Sequence, residues 1–272
     1  MTFRERLRAA VERQHSHLCV GLDPDLDRLP PGYTPDPDDV LRFCTAIVEA
    51  TSDVAAAYKP NSAFYEAMGP AGMEVLQVLI ASIPGDIPVI LDAKRGDMGN
   101  TADRYATALF DIYGAGAVTV SPYLGGDSLE PFLSREDRGT FILCRTSNPG
   151  AADLQDLVVG DVPLYIHVAR KAREWDTRGN VGLVTGATWP AEVAAVRAEC
   201  PDMALLLPGV GAQAGDPQAA ARAGAGPSGE GLYVIAASRS VMHASTGNDF
   251  QHAAADAAVA LRDEVEAALA RP

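Results

Sequence analysis

With 272 residues and 47% apolar side chains, the chain can bury a sizeable core and matches the usual size of one α/β barrel. A formal charge of −14 excludes a surface built for nucleic-acid backbones, which needs basic patches, but still allows a small phosphorylated ligand held by one Arg and backbone N–H groups. Four cysteines without paired spacing, no apolar stretch of membrane-span length and no signal-peptide core argue for a cytoplasmic protein with free thiols and without structural zinc or membrane contact.

The chain opens on a charged amphipathic segment, read as an N-terminal helix within 1–17. Short aliphatic runs then follow at 18–23, 54–60, 88–94, 117–121, 140–146, 181–185, 203–208 and 232–238. Each has strand length and the continuous apolar character of a parallel strand covered on both faces. Helical periodicity fills the intervals 37–51, 62–82, 101–113, 164–175, 190–199 and 250–269. Such repeats predict a closed (β/α)8 TIM barrel, a single domain spanning 1–272, with a doubly wound open sheet as the alternative. The surroundings of 125–127 read as a loop. The Gly/Ala/Gln-rich stretch 210–230 reads equally as a flexible lid or as a low-complexity surface insertion.

Polar groups cluster at the C-terminal ends of the apolar runs: Asp23, Lys59, Asp92 with Lys94, Ser121, Thr146 with Ser147, Thr185, and Ser238 with Arg239. A barrel gathers these ends on one face, where sites in this fold are built, and burying them unpaired would be costly. The sharpest cluster lies in 89–105. Strand alternation sends Asp92 and Lys94 to the same side, Gly96 and Gly99 allow a sharp turn, and Asp97 sits in that turn. A buried Asp–Lys–Asp cluster kept for stability alone seldom offsets its desolvation.

The segment Leu91-Asp92-Ala93-Lys94-Arg95-Gly96-Asp97 resembles the signature of orotidine 5′-phosphate decarboxylases, particularly the longer-chain bacterial branch. Further resemblances follow in order: Gly21-Leu22-Asp23, Tyr58-Lys59-Pro60-Asn61, Ser121-Pro122-Tyr123, Thr146-Ser147-Asn148, Pro208-Gly209-Val210-Gly211-Ala212-Gln213 and Ser238-Arg239. The resemblance implies that Lys94 donates a proton to C6 of the pyrimidine and that Asp92 lies against the substrate carboxylate. It makes Lys59 a partner of Asp92 and the ribose, and Asp23 a partner of a ribose hydroxyl. Ser147 would bind the pyrimidine, while Gln213 and Arg239, beside Pro208 and Ser238, would hold the phosphate. Asp97 and Thr101 would be contributed by a second subunit, so a homodimer with shared sites is implied, and no cofactor. Two positions depart from the pattern: Ser238 precedes Arg239 where many relatives place Gly, and Met98 stands where a branched aliphatic is usual.

The implied chemistry is physically coherent. Loss of CO2 leaves a C6 carbanion without a neighbouring carbonyl, and a fixed ammonium between carboxylates can balance that charge. The competing readings are a magnesium-dependent sugar-phosphate decarboxylase on the same barrel and a non-catalytic nucleotide-binding barrel. Five histidines show no metal-ligand spacing. Trp175 and Trp189 read as packing anchors, Arg95 as a structural or interface residue, and Ser121 and Tyr123 as candidates for the pocket wall.

Overall fold

The computed structural model describes residues 1–210 and 215–269. Eight parallel strands form the central ring: β1 (Leu18–Leu22), β2 (Ala57–Pro60), β3 (Ile90–Arg95), β4 (Ala117–Val120), β5 (Gly139–Arg145), β8 (Val181–Thr185), β9 (Ala204–Pro208) and β10 (Tyr233–Ala237). A short antiparallel hairpin, β6 (Val158–Val159) with β7 (Val162–Pro163), is inserted after β5. The ladder runs β2-β1-β10-β9-β8-β5-β4-β3. Parallel bridges from Tyr58 to Val89 and from Asn61 to Asp92 bring β3 back against β2. The ring is therefore a TIM barrel, and the open-sheet alternative fails at those bridges.

Both faces of the strands are buried, which explains their continuous apolar character. Outward residues such as Leu18, Val20, Tyr58, Leu91, Val118 and Ile142 pack under the helices. Inward residues such as Cys19, Ala57, Ile90, Phe141, Leu206 and Val234 fill the barrel. Its N-terminal end is plugged by α1 (Phe3–Gln14), which sends Phe3, Leu7 and Val11 into that inner cluster; the Phe3 and Phe141 rings meet edge-on with centroids 5.9 Å apart. All four cysteines are free and buried, and burial pushes the Cys19 and Cys44 thiols up to about 12, leaving them protonated and inert.

Helices α2 (Pro37–Thr51), α7 (Leu164–Trp175), α8 (Pro190–Glu199) and α11 (Phe250–Leu269) coincide with the expected intervals. The interval 62–82 instead divides into α3 (Ser62–Glu66) and α4 (Gly69–Ser82), because Gly69 takes φ +72°, a left-handed turn that ends one helix before the next begins. The interval 101–113 starts two residues early as α5 (Gly99–Ala106) and continues as a π-helical stretch, Thr107–Ile112.

Two expected loops are in part helical, and 211–214, within the second, lie outside the described residues. The region around 125–127 opens α6 (Gly126–Leu133), whose Leu129, Phe132 and Leu133 are buried despite Pro131. Within 210–230, α9 (Pro217–Ala225) forms: the Asp216 side chain caps the N–H groups of Gln218 and Ala219, Pro217 occupies the first turn, and Ala220 and Ala221 are buried. The Ala and Gly of 217–225, which read as low complexity, form the close-packing face of a helix.

At the barrel's N-terminal end, Arg197 of α8 is 3% exposed and, among the described residues, faces no carboxylate in hydrogen-bond contact. Its guanidinium donates to the carbonyls of Gly224, Cys200, Pro201, Met203 and Leu232 at 2.7–3.1 Å, tying the ends of α8 and α9 to the starts of β9 and β10. Burial pulls its pKa down to about 10. Arg197→Met strands several buried acceptors at once and is expected to lower unfolding free energy by at least about 3 kcal/mol. Urea denaturation measures this; a loss below about 1 kcal/mol would mean that water replaces the guanidinium at those carbonyls.

Candidate active site

Lys59, Asp92, Lys94 and Thr119 meet at the C-terminal mouth, contributed by the adjacent strands β2, β3 and β4. The Lys59 ammonium, on a nearly fully buried side chain, donates to Asp92 Oδ2 at 3.2 Å. The Lys94 ammonium and the Thr119 hydroxyl both donate to Asp92 Oδ1, at 2.7 and 2.8 Å. Burial alone would raise the Asp92 carboxyl. Lys59 and Lys94, with the hydrogen bonds from Lys94 and Thr119, outweigh it and hold Asp92 well below the usual carboxylate range. Burial likewise opposes the Lys59 charge, but Asp23 and Asp92 outweigh it and hold that ammonium above the ordinary lysine value.

Regular alternation is not what brings Lys94 beside Asp92. The β3–β4 register shifts between Leu91 and Arg95, and Lys94 adopts φ +46°. This bulge re-aims the lysine side chain at the mouth. Arg95 turns away, pairing with Glu66 and lying over the Tyr105 ring with its guanidinium carbon 5.4 Å from the centroid. Its structural reading therefore holds.

The array forms one wall of a cavity of about 550 Å³. Asp23, whose Oδ1 accepts from the Asn61 N–H at 3.0 Å, stands beside it. Leu143, Val184, Leu206 and Ala236 supply apolar lining. In the ring order β9 lies opposite β3, so Pro208 and Gly209, with Ser238 and Arg239 after β10, face the ionic array across the cavity. Gly21 permits this rim: a Cβ there would stand 2.6 Å from the Ser238 Cβ. Among the described residues the buried Ser238 Oγ has no hydrogen-bond partner, and Arg239 pairs with no carboxylate. The segment after β5 brings Ser147 to the cavity. Beside it Gln155 holds the Thr146 N–H at 2.8 Å through Oε1, and Thr146 donates to Asn148 at 2.7 Å.

Of the residues singled out in the sequence, Lys59, Asp92, Lys94, Asp23, Ser147, Pro208, Ser238 and Arg239 line this one cavity. Asp97 and Thr101 do not line it within the chain, and the Asp97 side chain accepts from the Met98 N–H at 2.8 Å. Gln213 lies outside the described residues. Ser121 and Tyr123 are not part of the wall; Tyr123 projects into solvent. The polar residue that β4 contributes is Thr119, two positions earlier on the same strand face. A threonine inside the otherwise apolar Ala117-Val118-Thr119-Val120 was the available signal. Gln155 and Asn61 were also missed, being ordinary polar loop residues in the sequence. Met98, which stands where a branched aliphatic is usual, is exposed.

Comparison with known proteins places this arrangement. The model of the orotidine 5′-phosphate decarboxylase / HUMPS family matches residues 16–255, which contain every barrel strand. The chain belongs to this family. It is 53% identical to the orotidine 5′-phosphate decarboxylase of Roseiflexus sp. (strain RS-1) over 271 residues, covering 99% of each chain. Identity to the protein of the same name from Thermomicrobium roseum is 51%, over 98% of this chain and 95% of that one. Among solved structures, OMP decarboxylase of Leishmania donovani superposes with a TM-score of 0.87 at 41% identity, covering both chains completely. Family membership thus extends over the full barrel and both walls of the cavity.

The shifts in the array fix a pH response. A carboxyl held below its unfolded value, about 3.9, stabilises the fold above that pH and loses the contribution as pH falls. An ammonium held above its unfolded value, about 10.4, stabilises below that pH and loses the contribution only as pH rises through the raised value. The urea-midpoint gap between wild type and Asp92→Asn is therefore expected to stay constant from about pH 5 to 8 and to narrow below about pH 4. A gap that widens on acidification contradicts the depressed Asp92.

Proposed function

We propose that the chain removes CO2 from orotidine 5′-phosphate to give uridine 5′-phosphate, a step of pyrimidine synthesis, with Lys94 as proton donor. The activity is that of a family to whose members it is about half identical over nearly its whole length. The observation that carries the mechanism is the contrast between the two lysines on Asp92. Both line the cavity, but the Lys59 side chain is 7% exposed and the Lys94 side chain 47%. The Lys94 ammonium is the more open of the two to a ligand.

When the C6–carboxylate bond breaks, its electron pair stays on C6 and CO2 leaves. The Lys94 ammonium balances that charge and passes one proton to C6; the neutral amine then regains a proton from water. Because Asp92 is held in place by three donors, the ammonium needs little reorganisation as charge develops. Both Asp92 oxygens are occupied by ammonium and hydroxyl donors, an environment that repels a divalent cation and disfavours the magnesium-dependent sugar-phosphate reading. The mechanism requires no cofactor.

Arg239, free of carboxylate partners among the described residues, suits the phosphate, with Ser238 and the backbone at Pro208 and Gly209 beside it. Gln213 is assigned to the same phosphate. Ser147 is assigned to the pyrimidine and Asp23 with Lys59 to the ribose. Asp97 and Thr101 complete the cavity of a second copy, making the active form a homodimer. Exposed Met98, Tyr123 and Leu124 near the same rim give such an interface apolar surface. A cytoplasmic location fits the buried free thiols, and among the described residues no helix is long and apolar enough to cross a membrane.

Purified protein with excess chelator is expected to bleach orotidine 5′-phosphate absorbance. Lys94→Ala should lower kcat by at least about 1,000-fold while still binding uridine 5′-phosphate. Normal turnover by Lys94→Ala removes the mechanism, and loss of wild-type activity in chelator favours the magnesium reading. For the shared site, inactive Lys94→Ala and Asp97→Ala chains mixed and exchanged should recover about one quarter of wild-type activity, since half the dimers then carry one intact site. No recovery in dimers shown to have exchanged argues that each site is built from one chain.

A further inference from the structure

The β3–β4 ladder is interrupted at the residues that matter most to the site. Leu91 pairs with Val118 and Arg95 with Val120, so Asp92, Ala93 and Lys94 all stand opposite Thr119 alone. Lys94 also takes φ +46°, a left-handed conformation rare for a residue with a long side chain. Its N–H bonds not to a β4 carbonyl but to Thr119 Oγ1, at 2.9 Å. The same hydroxyl donates its hydrogen to Asp92 Oδ1 at 2.8 Å, the oxygen that also receives the Lys94 ammonium at 2.7 Å. Thr119 is 1% exposed, so water does not substitute readily for either bond.

We infer that Thr119 is a positioning residue for Lys94: one hydroxyl fixes both the backbone origin of the lysine and the carboxylate on which its ammonium rests. The hydroxyl closes a loop from Lys94 N–H through Thr119 to Asp92 and back to the Lys94 ammonium. Neither bond is a regular ladder bond, and both depend on a side-chain oxygen. Without that oxygen the left-handed Lys94 loses its backbone partner, and β3 is free to relax toward regular alternation. Lys59 still holds Asp92 Oδ2, so the carboxylate remains while the proton donor moves. A defect confined to Lys94 therefore appears in the chemical step rather than in nucleotide binding.

The kinetic part of this inference rests on the decarboxylase reading, so the test has one arm that does not. Thr119→Ser and Thr119→Ala are both smaller than threonine and differ from each other by one oxygen. Thr119→Ser is expected to keep kcat within about 3-fold of wild type, and Thr119→Ala to lose about 10- to 100-fold, the usual weight of a hydrogen bond to a charged group. The Kd for uridine 5′-phosphate should stay within about 3-fold in both, because the product carries no group at C6 for the array to oppose. Equal kcat in the two variants, or parallel losses of kcat and product binding in both, overturns the positioning role. Crystal structures of the variants are read independently of turnover. Lys94 should keep its positive φ in Thr119→Ser and leave it in Thr119→Ala; an unmoved Lys94 in Thr119→Ala overturns the inference. Should wild type fail to convert orotidine 5′-phosphate, the functional reading falls by itself and the structures alone decide the role of Thr119.

Discussion

Asp92 is shared by two ammonium groups and a hydroxyl, and the architecture of the mouth follows from keeping that carboxylate charged in a buried place. A lone ionised carboxyl there would be strongly disfavoured and would bind a proton instead. Two lysines from neighbouring strands reverse the sign of the problem: desolvation still opposes the Asp92 and Lys59 charges, but their charged neighbours outweigh it. Asp23, near Lys59, adds to the balance. A buried ionic cluster of this kind is weak as a device for stability, since apolar residues of equal volume would serve as well. Its placement against a cavity of about 550 Å³, with the exposed Lys94 on the open side, gives it a chemical use instead.

The barrel makes the array possible by dividing labour between its ends. At the N-terminal end α1 plugs the interior with Phe3, Leu7 and Val11, and Arg197 gathers five backbone carbonyls. That end is closed. At the C-terminal end the inward side chains become polar, ladder bonds give way to side-chain bonds, and β3 leaves its regular register. The left-handed Lys94 and, among the described residues, the unpartnered Ser238 hydroxyl lie where a ligand would offset them.

The two walls also differ in electrostatic character. The β2–β4 wall is an alternating array that carries its own counter-charges. The wall after β9 and β10 offers Arg239 without a carboxylate partner among the described residues. On a chain of net charge −14, an unpaired guanidinium at the mouth is a local exception, suited to drawing an anionic group into one orientation. Orientation across the barrel then determines which atom of the ligand meets Lys94.

Much of this was legible in the residues alone. Strand number and order, most helices and the ring of polar groups at strand ends follow from periodicity and from the cost of burying charge. The family resemblance of the segment Leu91–Asp97 and of six further segments carried the chemistry. Local rules failed where tertiary contact decides. Gly69 could as well have been tolerated inside one long helix; α6 hides behind Gly and Pro although Leu129, Phe132 and Leu133 carry its packing, and α9 hides behind Ala and Gly because its small residues are its packing surface. Ser121 seemed the natural polar end of β4, yet the slipped register hands that place to Thr119. The sequence by itself determined a barrel with an ionisable mouth, because the succession of apolar runs and the positions of charges are properties of the chain. Only the tertiary structure decided which oxygen each ammonium holds and why Lys94 points inward, since that depends on a bulge made by pairing β3 with β4, and pairing is a relation between strands that neither strand encodes alone.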